Sequence, residues 1–150
     1  PSFAAMTGNI NAWTFGIGDE IWLMYHFDHD VKQSATFYPH IHWTTLGTST
    51  NTVKWQVDYS MANGHNTAAF PTESSFTVEE AASGTIHQHM ITEFSTGIAT
   101  PLPDTIMIAR ISRITNGGTN NTDTVQFIAM DHHYPTQMFA TKNRVPNFYT

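Results

Sequence analysis

The chain has 150 residues, no cysteine and a formal charge of −6, with only six lysines and arginines. Disulfides and thiolate metal sites are excluded outright, and so little positive charge argues against wrapping nucleic acid or docking on an anionic membrane surface. The charged fraction of 12% is about half the usual ~25%; Thr, Asn and Ser take up the polar positions, which favours strands and turns over helices.

The length suits one domain. No run of ~18 apolar residues is present, so no transmembrane helix is expected. Residues 1–19 read as an extended N-terminal arm running into a short strand, with Trp13, Phe15 and Ile17 alternating late. Residues 20–28 (EIWLMYHFD) are apolar on both parities, the pattern of a strand covered on both faces. Residues 37–59 form two alternating runs around a turn-rich link, 46–51. In the first run Phe37, Ile41 and Trp43 share one face, with Tyr38, His40, His42 and Thr44 on the other. In the second, Val53, Trp55, Val57 and Tyr59 alternate with Lys54, Gln56, Asp58 and Ser60. Side chains along a strand point to opposite faces in turn. The stretch therefore predicts an antiparallel hairpin with its tryptophans in a core and a His-x-His pair on the opposite face.

Residues 60–75 read as a long loop. A short strand follows over 76–80, then a strand over 85–94 with His87, His89 and Ile91 on one face. After a Pro/Gly loop, residues 105–115 (TIMIARISRIT) predict a strand, because Ile and Thr dominate and turn signals flank it. Residues 116–121 (NGGTNN) are the strongest turn, 124–134 the last strand, and 135–150 an extended C-terminal arm. The expected architecture is all-β: a jelly-roll-like β-sandwich of about eight strands over 20–134, with an arm at each end.

His40-Ile-His42 places two imidazoles on one strand face roughly 6.5–7 Å apart. His87-Gln-His89 repeats the spacing. The two pairs could meet on neighbouring strands and hold a transition metal, with His40, His42, His87 and His89 as ligands. Alternatively, three copies of one pair could meet about a trimer axis, an arrangement that resembles phage fibre and spike tips. The plainer reading is half-buried strand histidines satisfied by hydrogen bonds. A cupin-like metalloenzyme also resembles this pattern, but that family places a Glu about four residues after the pair. Here Trp43-Thr44-Thr45-Leu46-Gly47 supplies no carboxylate. Asp131 and His133 share a strand parity, whereas Asp131 and His132 do not. Glu79-Glu80 reads as a solvated strand edge. Arg110 and Arg113 fall on opposite faces of an apolar run, where a guanidinium meets a carboxylate or a subunit boundary.

The run Tyr38-Pro39-His40-Ile41-His42-Trp43, the strand 53–59 (VKWQVDY), the Arg-bearing strand 106–114 and the closing strand 127–134 together resemble a group of small β-rich structural proteins of tailed bacteriophages. The tail 141–149 (TKNRVPNFY) is also similar to some members. The resemblance covers most of residues 20–150. It implies a virion component, a jelly roll and a homo-oligomer. On that reading no catalysis is expected. The chain would assemble as a trimer on the capsid, or in a tail, fibre or spike, with other virion proteins as partners. Its interface would include Arg110, Arg113, His132, His133, Lys142, Arg144, Phe148 and Tyr149. The alternative is a glycan-binding module for a host surface, marked by an exposed tryptophan or tyrosine beside Asn or Asp near the 60–75 or 116–123 loops. The cupin-like metalloenzyme is the third reading.

Overall fold

The computed structural model describes residues 1–137. Among them are ten strands and no helix: β1 (Ser2–Thr7), β2 (Ile10–Phe15), β3 (Glu20–His26), β4 (Thr36–Thr45), β5 (Thr52–Asn63), β6 (Ser74–Ala81), β7 (Met90–Glu93), β8 (Ile98–Ala99), β9 (Thr105–Ile114) and β10 (Val125–His133). One sheet runs β1-β2-β10-β4-β7, with β8 also paired to β4; the other runs β3-β9-β5-β6. Neighbouring strands are antiparallel throughout. The pairing is nested: β2 joins β10, β3 joins β9, β4 joins β7 and β5 joins β6.

The two sheets pack face to face as a sandwich. Phe37, Ile41 and Trp43 point inward from β4, and Val53, Trp55 and Val57 from β5; all six are buried. The indoles of Trp43 and Trp55 meet edge to face, their centroids 6.5 Å apart, with Phe15 and Phe127 closing on Trp55. Alternation thus places the apolar faces as the sequence predicts. The expected hairpin is overturned, however. β4 and β5 lie in different sheets, so residues 46–51 cross from one layer to the other and each run brings its tryptophan to the core from its own side. Face-to-face packing buries both apolar faces, which a lone hairpin cannot do. Asn121 and Asp123 pin the crossing. The Asn121 side chain donates to the carbonyls of Ser49 and Asn51, and Asp123 accepts from the Ser49 amide at 2.8 Å. Gly47 lies against Asp123 so closely that a Cβ would sit 2.2 Å from its carboxyl carbon. Only glycine lets the loop approach that near.

Two other expectations are corrected. The N-terminal stretch is a β1–β2 hairpin docked on β10 rather than an arm. The strand expected over 85–94 begins only at Met90, because Gly84 and His87 adopt positive φ (75° and 61°) and the Gln88 amide closes a turn on Thr85. His87 therefore leaves the strand face assigned to it. Of the expected C-terminal arm, residues 135–137 run beside the β3–β4 loop: the Lys32 amide donates to Pro135 and the Gln137 amide to Asp30. The remainder, with Lys142, Arg144, Phe148 and Tyr149, lies outside the described residues.

Arg113 is also corrected as an interface residue. It is 4% exposed, and its guanidinium donates to the carbonyls of Phe15 (2.7 Å) and Asn121, tying β2 and the β9–β10 loop to β9. An unpaired buried carbonyl costs about 1–3 kcal/mol. Arg113→Met is expected to lower stability by roughly 2–4 kcal/mol, read from the urea midpoint, and a cost below ~1 kcal/mol would show that water replaces the fork.

Candidate functional site

The outer face of the first sheet carries the chemistry. Outward positions of β4 are Tyr38, His40, His42 and Thr44. Simple alternation along 124–134 would turn Asp131 and His133 to the same side as Phe127, into the core. A bulge prevents this. Phe127 pairs with Trp43 but Ala129 pairs with His42, so Ile128 is an extra residue in β10. A bulge shifts the parity of everything after it. Met130 then faces inward opposite Ile41, Asp131 faces outward opposite His40, and His132 turns into the core.

The consequence is a dense polar cluster across three strands. His40 is 3% exposed, and its Nε2 contacts Asp131 Oδ1; His42 Nε2 lies 3.4 Å from that same oxygen. His40, His42 and Asp131 each offer one ligand atom, all within 4.8 Å of one another. From β7, Glu93 pairs opposite His40, and the His133 ring stands 4.3 Å from that of His40. His89, just ahead of β7, stacks on His42 at 4.9 Å, with 2.7 Å between its Nε2 and His42 Nδ1. Burial holds the pKa of His40 below the ordinary imidazole value; Asp131 opposes that shift, while His133 and His42 add to it. The Nδ1 of His40 and the Nε2 of His42 are buried without a hydrogen-bond partner.

Of the four histidines read as ligands, His40, His42 and His89 come together. His87 does not: it is exposed in the turn before β7, where its backbone amide donates to the Thr45 carbonyl. The carboxylate that the local sequence lacks after His42 is supplied across the sheet by Asp131. No local signal shows this, because it depends on the bulge.

His132, expected at an interface, is likewise corrected. Its ring lies against Tyr25, Phe27 and Phe37 inside the sandwich, and His133 alone of the pair faces outward. Arg110 does lie on an outer face, that of the second sheet. It donates to Asp58 through Nε and Nη2 (3.1 and 2.7 Å) and to Glu20 at 3.2 Å.

A second cluster is not visible to alternation, because loops assemble it. His26 ends β3, His29 lies in the β3–β4 loop and His65 in the β5–β6 loop. Their Nε2 atoms approach the carboxylate of Asp104 at 3.1, 2.9 and 3.0 Å. Burial alone would raise the pKa of Asp104, but the hydrogen bonds from these rings outweigh it and leave the carboxyl below its usual value. The arrangement clasps three loop ends at one end of the sandwich.

No known family, curated protein or solved structure matches the chain.

Proposed function

We propose that this chain is a structural component of a bacteriophage virion, a jelly roll that assembles with copies of itself, as a trimer, on the capsid or in a tail, fibre or spike. Nested pairing of eight strands into sheets β2-β10-β4-β7 and β3-β9-β5-β6 is what results when one long antiparallel ribbon folds over on itself, and jelly rolls are frequent in viral capsids. The Pro-His-Ile-His-Trp block and closing His-Tyr strand, similar to those of small phage structural proteins, point the same way.

The observation that carries assembly is β3. Its sequence is patterned for cover on both faces, yet among the described residues it is an edge strand of its sheet. Ile21, Leu23 and Tyr25 pack on the core, while Trp22 and Met24 on the other face are 62% and 71% exposed. Ile108, paired with Met24 on β9, extends the apolar strip. A groove of about 310 Å³ lined by Trp13, Leu23, Tyr25 and Ile128 runs along the other side of the same strand. A long apolar edge strand left open is an association surface. A second copy covers it in this reading, which accounts for the two large apolar side chains, Trp22 and Met24, that the strand turns outward.

The double variant Trp22→Glu, Met24→Glu is expected to dissociate the assembly to monomers in sedimentation velocity, with its far-ultraviolet β spectrum intact. The reading fails if the variant sediments as the wild type does.

One observation favours the glycan-binding alternative. Trp22 also borders a depression of about 320 Å³ shared with Asp58, Phe70, Pro71, Glu73 and Arg110, and an exposed indole beside carboxylates suits a sugar ring. Binding on a glycan array that Trp22→Ala abolishes would favour that reading over assembly at the same face.

A further inference from the structure

His-x-His pairs on strands are commonly satisfied by hydrogen bonds alone. Three features of the outer cluster depart from that. First, His42 uses its two nitrogens differently. Nδ1 is 2.7 Å from His89 Nε2, whereas Nε2 is buried, has no hydrogen-bond partner and lies 3.4 Å from the oxygen of Asp131 that His40 also contacts. A metal-bound imidazole has this division: an outer partner orients one ring nitrogen and fixes the tautomer, and the other nitrogen presents its lone pair. Second, one separation already fits. Two donors each ~2.0–2.1 Å from a tetrahedral ion stand about 3.4 Å apart, and His42 Nε2 and Asp131 Oδ1 are separated by 3.4 Å; His40 Nε2 contacts that oxygen directly, so the exposed Asp131 side chain swings back to admit the ion between them. Third, the site is open on one side. His40 is 3% exposed but Asp131 is 58% exposed, so an ion can enter and keep water in its remaining positions.

We propose that His40 Nε2, His42 Nε2 and Asp131 Oδ1 bind one divalent first-row transition metal ion per chain, with His89 positioning His42. Two imidazoles and one carboxylate select ions of the zinc, cobalt, nickel or iron class over magnesium and calcium, which prefer oxygen ligands. Glu93 and His133 flank the triad and add negative charge and a further imidazole within its immediate surroundings. The β10 bulge at Ile128 makes the site, since without it Asp131 would face the core. All three ligands come from one chain, so the site is independent of assembly.

The test is calorimetric titration of Zn²⁺ into chelator-stripped protein, with bound zinc counted by elemental analysis after dialysis. One ion per chain is expected, with micromolar or tighter affinity and no heat from Mg²⁺ or Ca²⁺. His42→Ala and Asp131→Asn should each weaken binding at least 100-fold. His89→Ala should weaken it about 10- to 100-fold, the usual effect of removing an orienting partner. His87→Ala should bind as the wild type does. Near-identical circular dichroism across the set shows that the variants fold, and His42→Asn, closer to His in shape and polarity, serves if the alanine variant does not. The proposal is overturned if the wild type takes up no zinc at millimolar concentration, if His42→Ala and Asp131→Asn bind normally, or if binding is lost instead on replacing His65 in the Asp104 cluster. A monomeric protein that binds zinc would keep this site and reject the assembly reading; an oligomer that binds none would do the reverse.

Discussion

Trp43→Ala is expected to cost about 4 kcal/mol, within the ~3–5 kcal/mol typical of buried Phe or Trp truncation. A domain of this kind has only ~5–15 kcal/mol in total, so the variant should unfold at a much lower urea concentration or be partly unfolded at 37 °C. The cost has two parts. The indole is fully buried between the sheets against Trp55, and its Nε1 donates at 2.7 Å to Thr92 Oγ1, which in turn donates to Glu80 at 2.6 Å. Trp55 is equally buried but its Nε1 has no partner. The phenylalanine variants separate packing from hydrogen bonding. Trp43→Phe removes the donor to the Thr92 oxygen, leaving only the bond that hydroxyl donates to Glu80, and should cost ~1 kcal/mol more than Trp55→Phe, which relieves a buried donor that makes no bond. If Trp55→Phe proves the costlier of the two in urea unfolding, the chain from Trp43 through Thr92 to Glu80 contributes little.

Stability should also fall as the solution is acidified through the range where histidine titrates, and His132 should contribute a large share of the fall. The bulge turns its ring inward against Phe27, Phe37 and Tyr25. Burial pushes its pKa down to about 4, with Asp131 opposing the shift. The unfolded chain takes up a proton near pH 6.5 and the folded chain only near pH 4. Stability is therefore complete above about pH 6.5, declines as pH drops toward 4, and levels off for this group below that. The loss is on the order of 3 kcal/mol over that window. His132→Leu should flatten this part of the profile, measured by urea unfolding in chelator so that metal does not contribute. A variant profile parallel to that of the wild type would mean that the ring is protonated in the fold.

The layers of the molecule were legible where period and burial coincide. Alternation in 37–45 and 52–59 assigns Phe37, Ile41, Trp43, Val53, Trp55 and Val57 to the core and His40 and His42 to the outside, and the structure places each of them so. The β-branched run 105–115 reads correctly as strand β9. What alternation cannot register is a change of sheet or a change of parity. The link 46–51 looks like a hairpin turn because its residues favour turning, while the crossing it makes depends on Asn121 and Asp123, some 70 residues later. The single extra residue at Ile128 reverses the faces of Asp131, His132 and His133, moving one presumed interface histidine into the core and a carboxylate onto the His-x-His face. The pairing of His87 with His89 failed for a related reason, a positive φ that ends the extended conformation. The clasp on Asp104 joins three separate loops, and no local pattern in the chain marks it.

The apolar outward face of β3 gives the assembly reading its physical basis, and the mass of the native protein tests it most directly. Multi-angle light scattering of the wild type over a dilution series is expected to give a stable multiple of the 16.8 kDa chain, three times that mass for the trimer. A single chain's mass at every concentration, up to hundreds of micromolar, would contradict it.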